Sequence, residues 1–453
     1  VPKVLCSAFH REKDSQYVLE GVLTDTSERF VVGVTGSLGS GCTTLSKTLE
    51  KKGFKRVSIS DAIKQKFREL NPGKEPTRQS FGPDWRAVLQ DIGNKGRSGE
   101  FSKDGKTNTR SSHCDYWVKQ TWDSLNNHAG DIVIDGIRNT EEVEYLRKVI
   151  PHGKFWLIAV YADVDTRWER LEAQGSYENR KVFVRDDQRD SREDNPAGQR
   201  VQRCVYSADY VFNNVQKIEP THQICDAVWR RLRDHVSIMK GDSSRDPTKA
   251  EVFMATAVSQ SHASRCIKRK VGALIVDEER NIPLSVGYND NPIGMEACFS
   301  RYDGLCYKDK VMESKLESMG PLYCPECGFL HKRISPPWIC GNKTPEEKQC
   351  RCNFKSKFFP SRNIELCTAL HAEERAIRSL GSRSAEGCTI YVNTFPCFQC
   401  ARYIKDADIK KVVYVEAYPI KEAVDFLKDN GIEIVPFEGF KPRVFNQVFK
   451  QVE

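Results

Sequence analysis

The apolar positions of this chain fall into short unbroken runs separated by longer amphipathic stretches. Residues 30–34, 131–135 and 155–161 are continuous β-prone runs. Unbroken apolar strands are expected where helices cover both faces of a parallel sheet. A glycine-rich turn and a helix from about residue 43 follow the first run, a second strand fits 56–60, and helical spacing marks 140–149 and 220–235. This alternation predicts a parallel α/β domain over residues 1–240. Residues 239–249 are polar, with Gly, Ser and Pro, and read as a linker. A second unit over 250–453 has a different rhythm. It has a helix (250–261), paired strands (271–276 and 282–288), and an irregular cysteine-rich stretch at about 298–367. A helix (371–380), strand (388–393), helix (397–406), strand (412–415), further helix and final strand (432–435) complete it.

The chain has 453 residues, enough for two large domains or about three ordinary ones. Its longest apolar run has eight residues, whereas a bilayer span needs about twenty, so no membrane helix is expected. Residues 1–29 carry no apolar stretch of signal-peptide type, and a cytoplasmic setting is the expectation. The net charge of +8 is spread over both halves, which is not the footprint of a nucleic-acid binder. It suits local handling of phosphates. Of 17 cysteines, twelve lie between Cys266 and Cys400. In a reducing compartment such clustering means metal or catalysis rather than disulfides.

The sharpest chemical signal is His371-Ala372-Glu373 followed by Pro396-Cys397-Phe398-Gln399-Cys400. An imidazole and two thiolates make three ligands of a tetrahedral zinc and leave one position open for water. Glu373 lies two residues from the His and can move a proton without binding metal. A purely structural zinc site would need neither the glutamate nor the open position. Around this core the chain resembles the deoxycytidylate deaminase family. The resemblance is carried by Met254-Ala255-Thr256-Ala257, Val271-Gly272-Ala273-Leu274-Ile275-Val276, Gly287-Tyr288-Asn289, His371 to Ile377 and Thr394-Phe395-Pro396-Cys397. It implies a cytidine deaminase-like α/β/α fold, with substrate contacts at Asn289, Ala372, Thr394 and Tyr418, and an oligomer. Within the insertion, Cys324-Pro325-Glu326-Cys327 has zinc-knuckle spacing and Cys350-Arg351-Cys352 could supply a second pair, with Cys340 and His331 between them, so that five cysteines compete for four places of a structural zinc site. Cys266 and Cys298 resemble positions that hold an extra zinc in phage members of the family.

In the first domain, Gly36-Ser37-Leu38-Gly39-Ser40-Gly41-Cys42-Thr43-Thr44 has the frame of a phosphate-binding loop, with Thr43 placed to reach a magnesium ion. Cys42 stands where such loops carry lysine, which puts phosphoryl transfer in doubt but leaves a backbone nest for ATP or a dNTP. Asp135 and Arg138 follow a strand, Asp163 precedes a helix, and Arg185, Arg189 and Arg192 sit among acids. With a closing strand at 208–214, these pieces resemble nucleoside monophosphate kinases, Arg185 to Arg192 standing as their lid. A kinase-like domain fused to a deaminase-like domain resembles the bacterial antiviral deoxycytidine nucleotide deaminases. This resemblance implies conversion of dCTP and dCMP to dUTP and dUMP during phage infection, with a regulatory first domain that binds a nucleotide and gates the activity, and in some members an inhibitory small RNA. The other readings are a housekeeping dCMP deaminase, an RNA- or tRNA-editing deaminase, and a nucleotide- or RNA-binding regulator.

Overall fold

A computed structural model of the protein describes residues 29–449, apart from 78–79, 81–84, 102–112, 126–127, 178, 192–197, 216–222, 333–339, 343–349, 351, 353, 355–365 and 417–420. The first domain alternates as the pattern predicts: β1 (Val31–Thr35), α1 (Cys42–Lys51), β2 (Lys55–Ser58), α2 (Ile59–Leu70), α3 (Trp85–Arg97), α4 (Tyr116–Asp123), β3 (Ile132–Asp135), α5 (Thr140–Val149), β4 (Phe155–Tyr161), α6 (Val164–Ala173), α7 (Arg180–Ser191), α8 (Val201–Ser207), β5 (Tyr210–Asn213) and α9 (Ile224–Lys240). These five strands are parallel, in the order β5-β4-β1-β3-β2.

Successive side chains of a strand point to opposite faces, and here both faces are covered. Val32, Val133 and Trp156 enter one core with Leu45 and Leu232, while Val31, Ile132 and Leu157 enter the other with Phe67, Trp117 and Leu146. That two-sided burial is why the strands read as unbroken apolar runs.

The second domain begins with α10 (Lys249–Ser261). Thr248 and Glu251 close a reciprocal capping box at its start. β6 (Gly272–Asp277) and β7 (Ile282–Tyr288) pair antiparallel. The insertion contributes α11 (Cys298–Arg301), α12 (Tyr307–Ser318) and a small hairpin, β8 (Leu322–Tyr323) with β9 (Leu330–His331). Then come α13 (Ala372–Arg378), β10 (Thr389–Thr394), α14 (Phe398–Asp406), β11 (Lys411–Glu416), α15 (Lys421–Asp429) and β12 (Glu433–Pro436). The sheet order is β12-β11-β10-β6-β7, with β10, β11 and β12 parallel.

Two glycines set how close the helices lie to this sheet. A Cβ on Gly287 would stand 2.2 Å from the Ala372 carbonyl oxygen and 2.4 Å from the Ala376 nitrogen of α13. One on Gly272 would stand 1.9 Å from the Ala257 carbonyl oxygen of α10. Both positions require the bare backbone.

The chain does not finish at β12, the last strand that the sequence pattern predicts. It crosses back to the first domain, where β13 (Gly439–Phe440) pairs antiparallel with β5 as the sixth strand of that sheet. Phe440 is fully buried against Trp156 and Tyr210. Pro442–Val444 and α16 (Phe445–Val448) follow it. The domains also share a core: Tyr161 and Val211 of the first belong to the buried cluster of the second. A two-residue strand has no periodicity to read, so the crossing leaves no mark in the pattern. Among the described residues, no helix is long and apolar enough to cross a membrane.

Candidate active site and metal centres

Two helix starts bring the deaminase-like residues together. His371 is the N-cap residue of α13 and Cys397 the N-cap residue of α14, both with extended backbone; Cys400 lies in the first turn of α14. The His371 Nδ1 atom is 3.3 Å from Cys397 Sγ and 3.2 Å from Cys400 Sγ. A tetrahedral zinc with ordinary bond lengths would hold nitrogen and sulfur about 3.5 Å apart. The three donors therefore fit this metal in spacing and in chemistry.

Without metal, the Cys400 thiol hydrogen-bonds Cys397 and brings its pKa down to about 4, with His371 adding to the effect. The hydrogen bond with Cys397 raises the His371 imidazole to about 9. A sulfur already anionic is ready to ligate a cation. Glu373, on the first turn of α13, is buried, and burial pushes its carboxyl up to about 7.

Ala372 begins α13 and Thr394 ends β10, both buried, on the two elements that present His371 and Cys397. Asn289 is placed just after β7, but its amide is occupied. Its Oδ1 accepts from the Val271 N–H (2.7 Å), and its Nδ2 donates to the Arg269 carbonyl (2.9 Å). Asn393 does the same one strand away, bonding the Gly272 N–H and the Lys270 carbonyl. These two amides fix the backbone from Arg269 to Gly272 beside the site. Asn393 is a positioning residue absent from the sequence reading; an Asn inside an apolar strand is the signal that could have found it. Tyr418 lies outside the described residues.

In the insertion, four sulfurs converge: those of Cys324, Cys327, Cys340 and Cys350 lie within 4.8 Å of one another. Cys324 to Cys350 is 3.6 Å and Cys327 to Cys340 is 3.5 Å. The edge of a zinc–thiolate tetrahedron is about 3.8 Å, so this set also fits zinc. The Glu326 N–H points at Cys324 Sγ, and His331 Nε2 stands 3.1 Å from Cys340 Sγ. Cys352, the fifth candidate, lies beside this set, its thiol hydrogen-bonded to Cys324. It is buried nearby and its carbonyl accepts from the Cys340 N–H, but its sulfur is not in the converging set. Nor are Cys266 and Cys298 gathered into a donor cluster among the described residues. Cys298 Sγ instead contacts Asn291 and Thr368, and the Cys266 N–H donates to Ser264.

The phosphate-binding loop frames a cavity of about 960 Å³ lined by Gly36, Ser37, Gly39, Gly41, Cys42, Thr43, Thr44, Asp135 and Arg138. Ser40 is buried behind it, with its hydroxyl 3.4 Å from Cys42 Sγ. Burial, reinforced by Asp135, pushes the Cys42 thiol up to about 12, so the position of the missing lysine is neutral. Asp135 accepts from Arg56 at 2.8 Å, and Arg138 donates to Asp190 and Gln199. Two of the residues read as a lid, Arg185 and Arg189, fall on α7. Its buried residues Asp187 and Asp190 face inward to Arg167 and Arg138, while Arg185 and Arg189 are exposed; Arg192 lies outside the described residues.

Comparison with known proteins agrees with both halves. Residues 247–416 match the family model of the cytidine and deoxycytidylate deaminase zinc-binding region, and residues 32–194 match an AAA domain model. Over 193 residues the chain is 29% identical to the deoxycytidylate deaminase of Saccharomyces cerevisiae, a match spanning 42% of this chain and 45% of that protein. The deoxycytidylate deaminase of Enterobacteria phage T2 is 29% identical over 192 residues, 41% of this chain and 90% of its own length. The first domain is 26% identical over 163 residues to a UPF0200 protein of Thermococcus kodakarensis, covering 36% of this chain and 78% of that protein. Among solved structures, the apo dCMP deaminase of cyanophage S-TIM5 is 21% identical and covers 43% of this chain and 100% of its own, with a TM-score of 0.25. The chain thus joins a P-loop kinase-like domain to a deoxycytidylate deaminase-like domain.

Proposed function

We propose that the second domain hydrolytically deaminates free deoxycytidine nucleotides, dCTP or dCMP, to the uracil forms and ammonia. The observation that carries this reading is the convergence of His371, Cys397 and Cys400 beside a buried Glu373. His371, Cys397 and Cys400 would hold zinc, which supplies Lewis acidity and lowers the pKa of water at the open position. Glu373 takes the proton of the attacking water at its carboxylate and passes it to ring N3. It then takes the second proton from the new C4 hydroxyl and hands it to the departing amine, so the C4–N bond breaks as the oxo group forms and ammonia leaves.

The test is ammonia release with zinc-loaded protein. Glu373→Ala is expected to lower kcat at least about 1,000-fold while zinc content and melting temperature hold. Near-normal turnover would refute the assigned proton shuttle. Separate titrations with dCMP and dCTP decide the finer reading. Turnover of dCTP supports depletion of deoxycytidine nucleotides in anti-phage defence, and a strict dCMP requirement supports a housekeeping enzyme. The named relatives favour dCMP as the second reading. The first domain is read as a site for ATP or a dNTP, with Thr43 toward magnesium and little phosphoryl transfer in the absence of a lysine at position 42. The thiols of the insertion are read as a structural zinc site, and a cytoplasmic setting is part of the same reading. A homo-oligomer and an inhibitory small RNA remain part of the proposal on resemblance alone.

A further inference from the structure

The two sites meet at β11. On the first-domain side, the phosphate-binding loop rests on the end of β4. A Cβ on Gly36 would lie 2.5 Å from the Val160 carbonyl oxygen. Arg167 donates to the carbonyls of Leu38 in the loop and Ala162 just past β4. Asn214 ties Ser40 to Tyr161: its side chain donates to the Ser40 carbonyl (2.8 Å) and its N–H to the Tyr161 carbonyl (2.7 Å). The Tyr161 hydroxyl is 2.5 Å from that of Tyr414 on β11, both buried.

On the second-domain side, the Tyr414 ring packs edge-on against Phe395 at 4.8 Å, two residues before Cys397. Two residues further along β11, the Glu416 carbonyl accepts from the Phe395 N–H (2.7 Å). The Glu416 carboxylate pairs with Arg269, the residue whose carbonyl Asn289 holds. Glu416 also lines a small interdomain cavity of about 50 Å³ together with Ser37, Tyr161 and Arg167. β11 therefore touches the supports of the phosphate-binding loop, the segment leading to Cys397 and the backbone fixed by Asn289.

We propose that a nucleotide in the first-domain cavity and a deoxycytidine nucleotide at the zinc site are energetically coupled through the Tyr161–Tyr414 contact and β11. This rests on the deaminase reading above. A packed element contacted by both sites can carry such coupling only if both ligands bias its arrangement. Linkage then makes the effect reciprocal: each ligand changes the affinity for the other by the same factor.

The test uses the full chain, zinc-loaded and carrying Glu373→Ala so that substrate binds without turnover. ATP is titrated with and without saturating dCMP, and dCMP with and without saturating ATP. The expected result is a shift of about fivefold or more, equal in both directions. Tyr161→Phe alone leaves the Tyr414 hydroxyl buried without its partner. The Tyr161→Phe/Tyr414→Phe double variant removes both hydroxyls and is the cleaner probe. In it the shift is expected to fall below about twofold, with zinc content and the affinity for each ligand alone nearly unchanged. Equal ATP affinities with and without dCMP would overturn the coupling and leave the deaminase reading standing. A full shift in the double variant would overturn the assigned route. Failure of ATP to bind would also overturn the proposal, and failure of both dCMP and dCTP to bind would overturn the deaminase reading with it.

Discussion

Glu251 closes the capping box of α10, accepts both guanidinium hydrogen bonds of Arg245, and accepts the N–H of Phe440 from β13. Burial alone would raise its carboxyl; the bonds from Arg245, Phe440 and Thr248 overcome that and hold it below the ordinary carboxylate range. A depressed folded-state value means stability that is fully present above the unfolded value of about 4.3 and is lost as pH falls through the folded one. Glu251→Gln is expected to cost on the order of 3 kcal/mol at pH 7. The gap from wild type should narrow on acidification below about pH 4, as urea unfolding at the two pH values would show. The capping half of this role is legible in the sequence, because Thr-x-x-Glu before a helix has a fixed local geometry. The other half is not, since Phe440 lies far along the chain. The same division holds at the zinc site. The spacing of His371, Glu373, Cys397 and Cys400 names them, whereas the occupied amide of Asn289 emerges only when β7 meets the Arg269–Gly272 backbone.

At the scale of elements, the insertion is the segment least able to hold itself together by burial. Among the described residues, its small core is formed by Leu316 and Phe354 around Cys324, Cys340, Cys350 and Cys352. A core made mostly of thiols suits a metal cross-link better than hydrophobic packing. Cys327→Ser is expected to lower bound zinc from about two equivalents per chain to about one. Proteolytic cleavage should become faster within 298–367 while the zinc held by His371, Cys397 and Cys400 stays. Metal analysis with limited proteolysis checks both, and unchanged zinc would remove the site. Sequence spacing identified Cys324 and Cys327 as a knuckle. It offered Cys350 and Cys352 as a second pair with Cys340 as a competitor, because nothing local says which sulfur turns inward. The arrangement depends on backbone hydrogen bonds across the insertion, in which the Cys340 N–H donates to the Cys352 carbonyl while the Cys340 and Cys350 sulfurs gather with those of the knuckle.

The two large sheets are tied in part by a short return of the chain. Phe440 packs between Trp156, Tyr210 and His235, so a residue near the end of the second domain fills the core of the first. Phe440→Ala is expected to cost about 3–5 kcal/mol. Because the domains share this residue and a buried cluster, both should unfold in one transition. Tryptophan fluorescence for the first domain and zinc release for the second would then shift together; separated transitions would show that the return is not a structural tie. The alternation of strands and helices made both sheets legible, since apolar runs buried on two faces leave a strong signal. The way the sheets are joined was hidden because it depends on two residues and a crossing of domains.

That crossing also sets a timetable. On a ribosome adding about 5–20 residues per second, some 10–45 s separate the emergence of Tyr210 from that of Phe440. For that interval β5 is an exposed sheet edge, with backbone groups open to any strand that passes. The first domain, though made first, completes its sheet only after the second has been synthesised.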